Sequence, residues 1–310
     1  MSFQRIVSRT LPDGSVGRVY PFHISLSGMK SLLLCRNDED YDHLEKSIYL
    51  SAYANNAIVV IEIAMSNHAH ICLLARDFET AFRVGDLIKK RHSQYLSRVY
   101  SERKTLLGTG LNVQYLDSDR YARNAMAYIA RNALDCGSNI SEYKWSGYCA
   151  MFTGGKIPER SIKVSDLSLR QRRAIFMTHY DLSGVPWVID KFGKLEPVSA
   201  CDHEYLESAF AGDQAFFLRI IGTTNPAEMK QLTDINPSSK ISDTQLSTII
   251  SEITVKWFGK DLRSVTPVQK SRMVFFLYRS YRTTPKQLAR CLQMSPEIVE
   301  SLVEVSRRKH

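Results

Sequence analysis

The chain has 310 residues, 44% apolar and 24% charged, with a formal charge of +9. That mixture excludes a disordered or low-complexity chain, and the length allows two or three cores at roughly 100–200 residues each. The positive balance points to an anionic partner, nucleic acid first, although a solubilising surface accounts for it equally well.

Residues 18–27 (RVYPFHISLS) alternate polar and apolar, which predicts a half-buried strand. Asn37-Asp38-Glu39-Asp40 then supplies a cap and an acidic first turn for a helix to about Ala54. Ala57–Met65 (AIVVIEIAM) is a buried strand rich in β-branched residues, and His68–Ala75 follows a Ser66-Asn67 turn as its hairpin partner. Phe78 to about Tyr100 predicts a long helix, Leu111–Leu116 a short strand, and Ser118 or Asp119 caps a helix to Asp135 that Gly137 closes. Helices packed on a mostly antiparallel sheet give an α+β class. From Gly154-Gly155-Lys156-Ile157-Pro158 the texture changes to that of a linker, and residues 160–265 are mainly helical in pattern. From Pro267 the chain carries nine Lys and Arg against three Glu.

The six cysteines form no CxxC pair, which predicts reduced, mostly buried thiols and a cytoplasmic setting. The first residues lack the apolar core of a signal peptide, and no apolar run approaches the ~18–20 residues of a membrane span.

Two stretches carry groups suited to chemistry. In a strand, His68 and His70 point to one face while Ala69, Ile71 and Leu73 point to the other. Paired neutral imidazoles suit Mn, Zn or Fe, whereas Mg²⁺ also wants oxygen ligands; an isolated His-x-His is more often structural. In the helix DRYARNAMAYIARNALD, one stripe holds Tyr121, Ala125, Tyr128, Asn132 and Asp135, and a second holds Ala122, Met126, Ile129 and Ala133. The second stripe is the expected core face. The first sets Tyr128 beside Asn132, four residues on, although a boundary tyrosine with a solvent-facing amide fits as well.

Taken together, the motifs resemble those of the REP-associated tyrosine transposases in the IS200-like, single-tyrosine HUH family. Ser66-Asn67-His68-Ala69-His70-Ile71-Cys72-Leu73-Leu74 is similar to that family's "NHVHLLL" strand, and Tyr128-Ile129-Ala130-Arg131-Asn132-Ala133 to its "YIxxNP" helix. Tyr143-Lys144-Trp145-Ser146-Gly147-Tyr148 resembles "YPWSSY", and Phe22-His23-Ile24-Ser25 resembles "YHVT". The resemblance spans residues 18–152. It implies a ferredoxin-like HUH nuclease domain with helices on one face of the sheet, followed by an all-α C-terminal region. It also implies Tyr128 as nucleophile, and His68, His70 and Asn132 as ligands of Mg²⁺ or Mn²⁺. The implied reaction nicks and rejoins single-stranded DNA, hairpin-forming repeats above all, through a 5′-phosphotyrosine; the family includes dimers. Two departures stand out: Ala133 replaces the proline, and Leu111-Asn112-Val113-Gln114-Tyr115 lacks the positive charge of the family's "GRYKS" strand.

Candidate phosphate contacts are Arg83, Lys89, Lys90, Arg91 and Arg98 on the long helix, where His92 and Tyr95 would join them, then Arg103 and Lys104 just beyond, and Lys286 and Arg290 near the end. The expected division is 1–153 for the nuclease domain, 154–265 for a helical middle region, and 266–310 for a helix-turn-helix-like unit. That last unit resembles the duplex-binding end of the replication initiator DnaA, but PEIVESLVEV has three Glu and no Arg, Lys, Asn or Gln to address base edges. A domesticated, catalytically inactive DNA-binding protein is the alternative function; a plasmid-type replication initiator or relaxase is a third.

Overall fold

The computed structural model describes residues 3–27, 33–100, 110–223, 243–281 and 283–308. Its central sheet is built from β1 (Val7–Thr10), β2 (Val16–Ser27), β3 (Ile58–Ala64), β4 (His68–Ala75) and β5 (Gly110–Tyr115). The order is β5-β2-β4-β3, every pairing is antiparallel, and β1 pairs with the first residues of β2. Between these strands run α1 (Asp38–Ala54) and α2 (Phe78–Val99), giving the ferredoxin-like βαββαβ succession. Asn37 caps α1 as the sequence suggests, its Oδ1 accepting from the Asp40 N–H; Asp77 caps α2, its Oδ1 accepting from the Thr80 N–H. The hairpin of β1 with β2 has no counterpart in the sequence pattern, which begins the first strand at Arg18.

Crossover handedness places α1 and α2 on one face of the sheet. There they bury Phe22, Ile24, Leu26, Ala69, Ile71 and Leu73. Gly85 lets α2 approach closely, since a Cβ there would lie 2.5 Å from Leu111 Cδ1 and 3.3 Å from Ile24 Cγ2. The expectation of helices on one face holds for these two only. A third helix, α3 (Asp119–Asp135), covers the opposite face against Ile61, Ile63, Cys72 and Leu74. A bulge at Val60 shifts the β3 register between Val59 and Ile61.

The region after residue 154 is not a separate layer. Val164, Phe176, Trp187 and Leu195 join the core under α1 and α2, and Tyr205, Phe210, Phe217 and Ile221 join the core under α3. It holds α4 (Leu169–Phe176), α5 (His203–Ala209) and α6 (Gln214–Thr223), together with a small hairpin of β6 (Ile162–Lys163) and β7 (Val188–Ile189). The expected all-α character after the nuclease domain therefore fails at that hairpin. A third core unites α7 (Asp243–Phe258), α8 (Pro267–Ser280), α9 (Pro285–Leu292) and α10 (Pro296–Arg308) through Leu246, Ile250, Met273, Leu277, Leu288, Leu292 and Val299. This third core spans 243–308, because α7 buries its apolar side among the last three helices. Among the described residues all six cysteines are free thiols, and no helix is long and apolar enough to cross a membrane.

Glu62 of β3 is wholly buried, and its Oε2 accepts from the Gly147 N–H at 2.7 Å. Burial pushes its carboxyl up to about 7, with the neighbouring Glu45 raised by the same cause. The folded-state pKa lies above the unfolded value, so the stability contributed by protonated Glu62 is complete below about 4.3. It is lost as the pH rises through about 7. Glu62→Gln keeps an acceptor for Gly147. It is expected to raise stability at pH 8 by on the order of 2 kcal/mol and to flatten the loss between pH 5 and 8 in denaturant titrations.

Candidate active site

Every residue of β4 is buried, because helices cover both faces of the sheet. Strand alternation then decides which helix each side chain meets. Ala69, Ile71 and Leu73 enter the core with α1 and α2, whereas Cys72 and Leu74 enter the core with α3. His68 and His70 share the parity of Cys72 and so face α3. The same alternation turns His23 of β2 towards α3, between Phe22 and Ile24, which face away.

On α3 it is the polar stripe that meets the histidines. The Tyr128 ring centroid lies 5.2 Å from that of His70 and 6.3 Å from that of His23. Asn132 Oδ1 lies 3.3 Å from His68 Nε2. Tyr121, the other tyrosine of that stripe, makes no ring contact with these histidines among the described residues. The alanine-rich stripe is buried as well, since α5 and α6 add a cover to α3 that its own sequence does not announce. His68, His70, Tyr128 and Asn132 are 5%, 0%, 6% and 2% exposed, so the four groups form one buried cluster.

Their hydrogen bonds fix which atoms point where. Asn132 Nδ2 donates to the Tyr128 carbonyl at 2.8 Å, which aims Oδ1 at His68. His68 Nδ1 lies 2.9 Å from Asn67 Oδ1. Burial pulls the His68 imidazole down to about 4, outweighing the upward effect of the Asn132 bond, so the ring is neutral at pH 7 and carries one N–H. In one tautomer Nε2–H donates to Asn132 Oδ1; in the other Nδ1 donates to Asn67 and Nε2 turns its lone pair towards Asn132 Oδ1, the arrangement a metal would select. Two acceptors 3.3 Å apart match an edge of a coordination shell whose bonds are roughly 2.1–2.3 Å. His70 Nδ1 lies 3.1 Å from His23 Nε2, and its buried Nε2 has no hydrogen-bond partner. Burial also holds His23 at about 4 and His70 well below its ordinary value. Among the described residues no three His, Cys, Asp or Glu are grouped to hold a metal; a three-ligand set here requires the Asn132 amide oxygen. With it, the donors fit a divalent ion that keeps open positions. His23 is the residue that sequence reasoning left without a role: it would fix the tautomer and orientation of His70. Its place beside His70 follows from the β2–β4 register, in which His23 sits opposite Cys72.

A cleft of about 560 Å³ opens over one end of this cluster. Its lining includes His68 from β4 and Asn132 from α3, Lys144 and Trp145 from the loop along β3, and Asp243, Lys286 and Arg290 from the C-terminal helices.

The candidate phosphate contacts separate into two groups. Arg83, Lys89, Lys90, Arg91 and Arg98 belong to α2, which packs on the face of the sheet opposite α3. Arg83 pairs with Glu79 at 3.0 Å, and Arg91 Nη2 donates to the Phe176 carbonyl at 3.3 Å. The expectation that His92 and Tyr95 meet a phosphate backbone is overturned: both are buried, with Tyr95 stacked on His43 at 4.0 Å and His92 Nε2 2.7 Å from the Leu34 carbonyl oxygen. Arg103 and Lys104 lie outside the described residues. Lys286 and Arg290, far along the chain, are the two that reach the cleft.

No family model matches the chain, and no curated protein matches it. Among solved structures, a REP-associated tyrosine transposase bound to a REP hairpin is similar over 54% of this chain and 96% of that one, with 15% identity and a TM-score of 0.34. A likeness at that level assigns no activity to this chain.

Proposed function

We propose that the chain is a metal-dependent single-stranded DNA nicking and joining enzyme of the transposase type, with Tyr128 as its nucleophile. The observation that carries this reading is the meeting of His68, His70, Tyr128 and Asn132, from a strand and a helix about 60 residues apart, in one buried cluster where His70 Nε2 lacks a partner. His68, His70 and Asn132 would hold Mg²⁺ or Mn²⁺. Bound there, the ion would neutralise charge on the scissile phosphate and favour the phenolate of a tyrosine whose ordinary pKa is near 10. The Tyr128 oxygen bonds to phosphorus as the P–O3′ bond breaks; the phenolic proton ends on the released 3′-oxygen, and the reverse step rejoins the strand. One phosphodiester replaces another, so no external energy source is needed.

One observation favours the alternative of a binding protein without catalysis: Tyr128 is only 6% exposed, and the cleft wall is formed by His68 and Asn132 rather than by its ring. Circular single-stranded DNA with Mn²⁺ separates the two. A covalent adduct on a denaturing gel, mapped by mass spectrometry to the peptide holding Tyr128, is the expected result. Binding without any adduct would leave the non-catalytic reading.

A further inference from the structure

The C-terminal helices line the same cleft as His68 and Asn132. Lys286 and Arg290 are four residues apart on α9 and therefore share one face of it. Both line the cleft. The wall is tied to the rest of the chain at several points: Tyr41 Oη and Thr244 Oγ1 are 2.8 Å apart, Leu33 inserts into the C-terminal core, and Arg263 Nη1 donates to the Tyr100 carbonyl at 2.7 Å. The Arg290 guanidinium is held by Asp243 through Nε at 3.0 Å and Nη2 at 3.3 Å. A fork set for a carboxylate is also set for a phosphate, the other anion that takes two parallel N–H bonds.

Among the described residues lining the cleft, the bases find no comparable platform. Trp145 stacks on Tyr41 at 5.4 Å and has the Lys144 and Lys194 ammonium groups 4.5 and 4.6 Å from its ring centroid. Its faces are already covered, so base stacking at this wall is not on offer. Nor is the cleft a diffuse basic trough, since Asp38, Asp135, Glu142 and Asp243 line it with Lys144, Lys286 and Arg290, and Lys144 is paired with Asp38 at 2.6 Å. Among the described lining residues, the cations left to meet an incoming anion are Lys286 and, by exchange of Asp243 for phosphate, Arg290.

We infer that α9 is the backbone clamp of the active site: Lys286 and Arg290 hold phosphates of the single strand next to the one presented to Tyr128, so the C-terminal unit completes the site. This rests on the proposed nicking reaction for its geometry, but the clamp is testable by binding alone. The probe is a fluorescent 20-nucleotide oligo(dT), compared with a mixed-base strand, titrated in Mn²⁺ into protein carrying Tyr128→Phe so that the strand stays intact. Lys286→Ala combined with Asp243→Asn and Arg290→Gln removes both cations without stranding a buried carboxylate. The expected result is about tenfold weaker binding for both strands and a salt dependence shallower by roughly 1.4 in log–log slope, about 0.7 for each lost contact. Lys286→Ala alone, which disturbs no ion pair, should account for about half of that slope change. Arg83→Ala with Lys90→Ala, on the far face of the sheet, should leave binding unchanged. Unaltered binding in both clamp variants, or a loss confined to the α2 variant, would overturn the inference. If the wild type never nicks DNA while the clamp variants still weaken binding, the clamp stands and the nuclease reading falls. If the wild type nicks DNA while binding ignores Lys286 and Arg290, the nuclease reading stands and the clamp falls.

Discussion

Replacing Tyr128 by Phe is expected to reduce the covalent protein–DNA adduct at least ~1000-fold, about 4 kcal/mol of lost transition-state stabilisation, while leaving DNA binding intact. The substitution removes one hydroxyl and nothing else. The ring keeps its place against His70 at 5.2 Å and His23 at 6.3 Å, so the histidine cluster stays packed. The stability cost is that of a lost buried hydroxyl, roughly 0.5–1.5 kcal/mol, which thermal unfolding will register as a small shift. Tyr121→Phe is the matched control. Its hydroxyl is also buried, burial pushes its pKa up to about 12, and it makes no ring contact with the three histidines among the described residues. Adduct that persists in Tyr128→Phe and disappears in Tyr121→Phe would reassign the nucleophile. Adduct that survives both would remove tyrosine chemistry from α3 altogether.

Much of this site is legible in the residues themselves. Strand alternation puts His68 and His70 on the side away from Ile71 and Leu73, and helical spacing puts Tyr128 beside Asn132. The βαββαβ order reads directly from the β-branched runs, the Asn37 cap and the long helical pattern from Phe78. What periodicity cannot give is the face of the sheet on which a helix lands. The cations of α2 and the tyrosine of α3 look like neighbours in sequence, yet the sheet lies between them. Two right-handed crossovers oblige α1 and α2 to share a face, and the parity of β4 turns the histidines to the other. Both facts are present in the sequence, but only when its elements are read together. The contribution of Lys286 and Arg290 is a different matter. They lie more than 150 residues beyond Asn132, and the Tyr41–Thr244 contact that fixes their wall joins residues 203 positions apart. No local pattern encodes such a pairing. The same holds for α7, whose apolar side finds the last three helices across residues 259–266.

The metal centre gives the second large effect. His70→Ala is expected to abolish nicking and to weaken Mn²⁺ binding at least ~100-fold, because it deletes one of three donors and leaves the remaining pair without a fixed geometry. The imidazole is also fully buried and bonded to His23, so its loss opens a cavity and strands His23 Nε2. That alone costs about 2–4 kcal/mol and would depress activity for purely structural reasons. Thermal unfolding with and without metal tells the two apart. An ion that binds only the folded chain raises its stability by about 1.4 kcal/mol for each tenfold increase in concentration above Kd. The wild-type midpoint should therefore climb with added Mn²⁺, while the lower midpoint of His70→Ala stays flat over the same range. His23→Ala should fall between them. It leaves all three donors in place but frees His70 to rotate, so the climb should begin at roughly tenfold higher Mn²⁺. If all three proteins respond alike to Mn²⁺, the buried histidines are a structural cluster, and the metal must bind elsewhere.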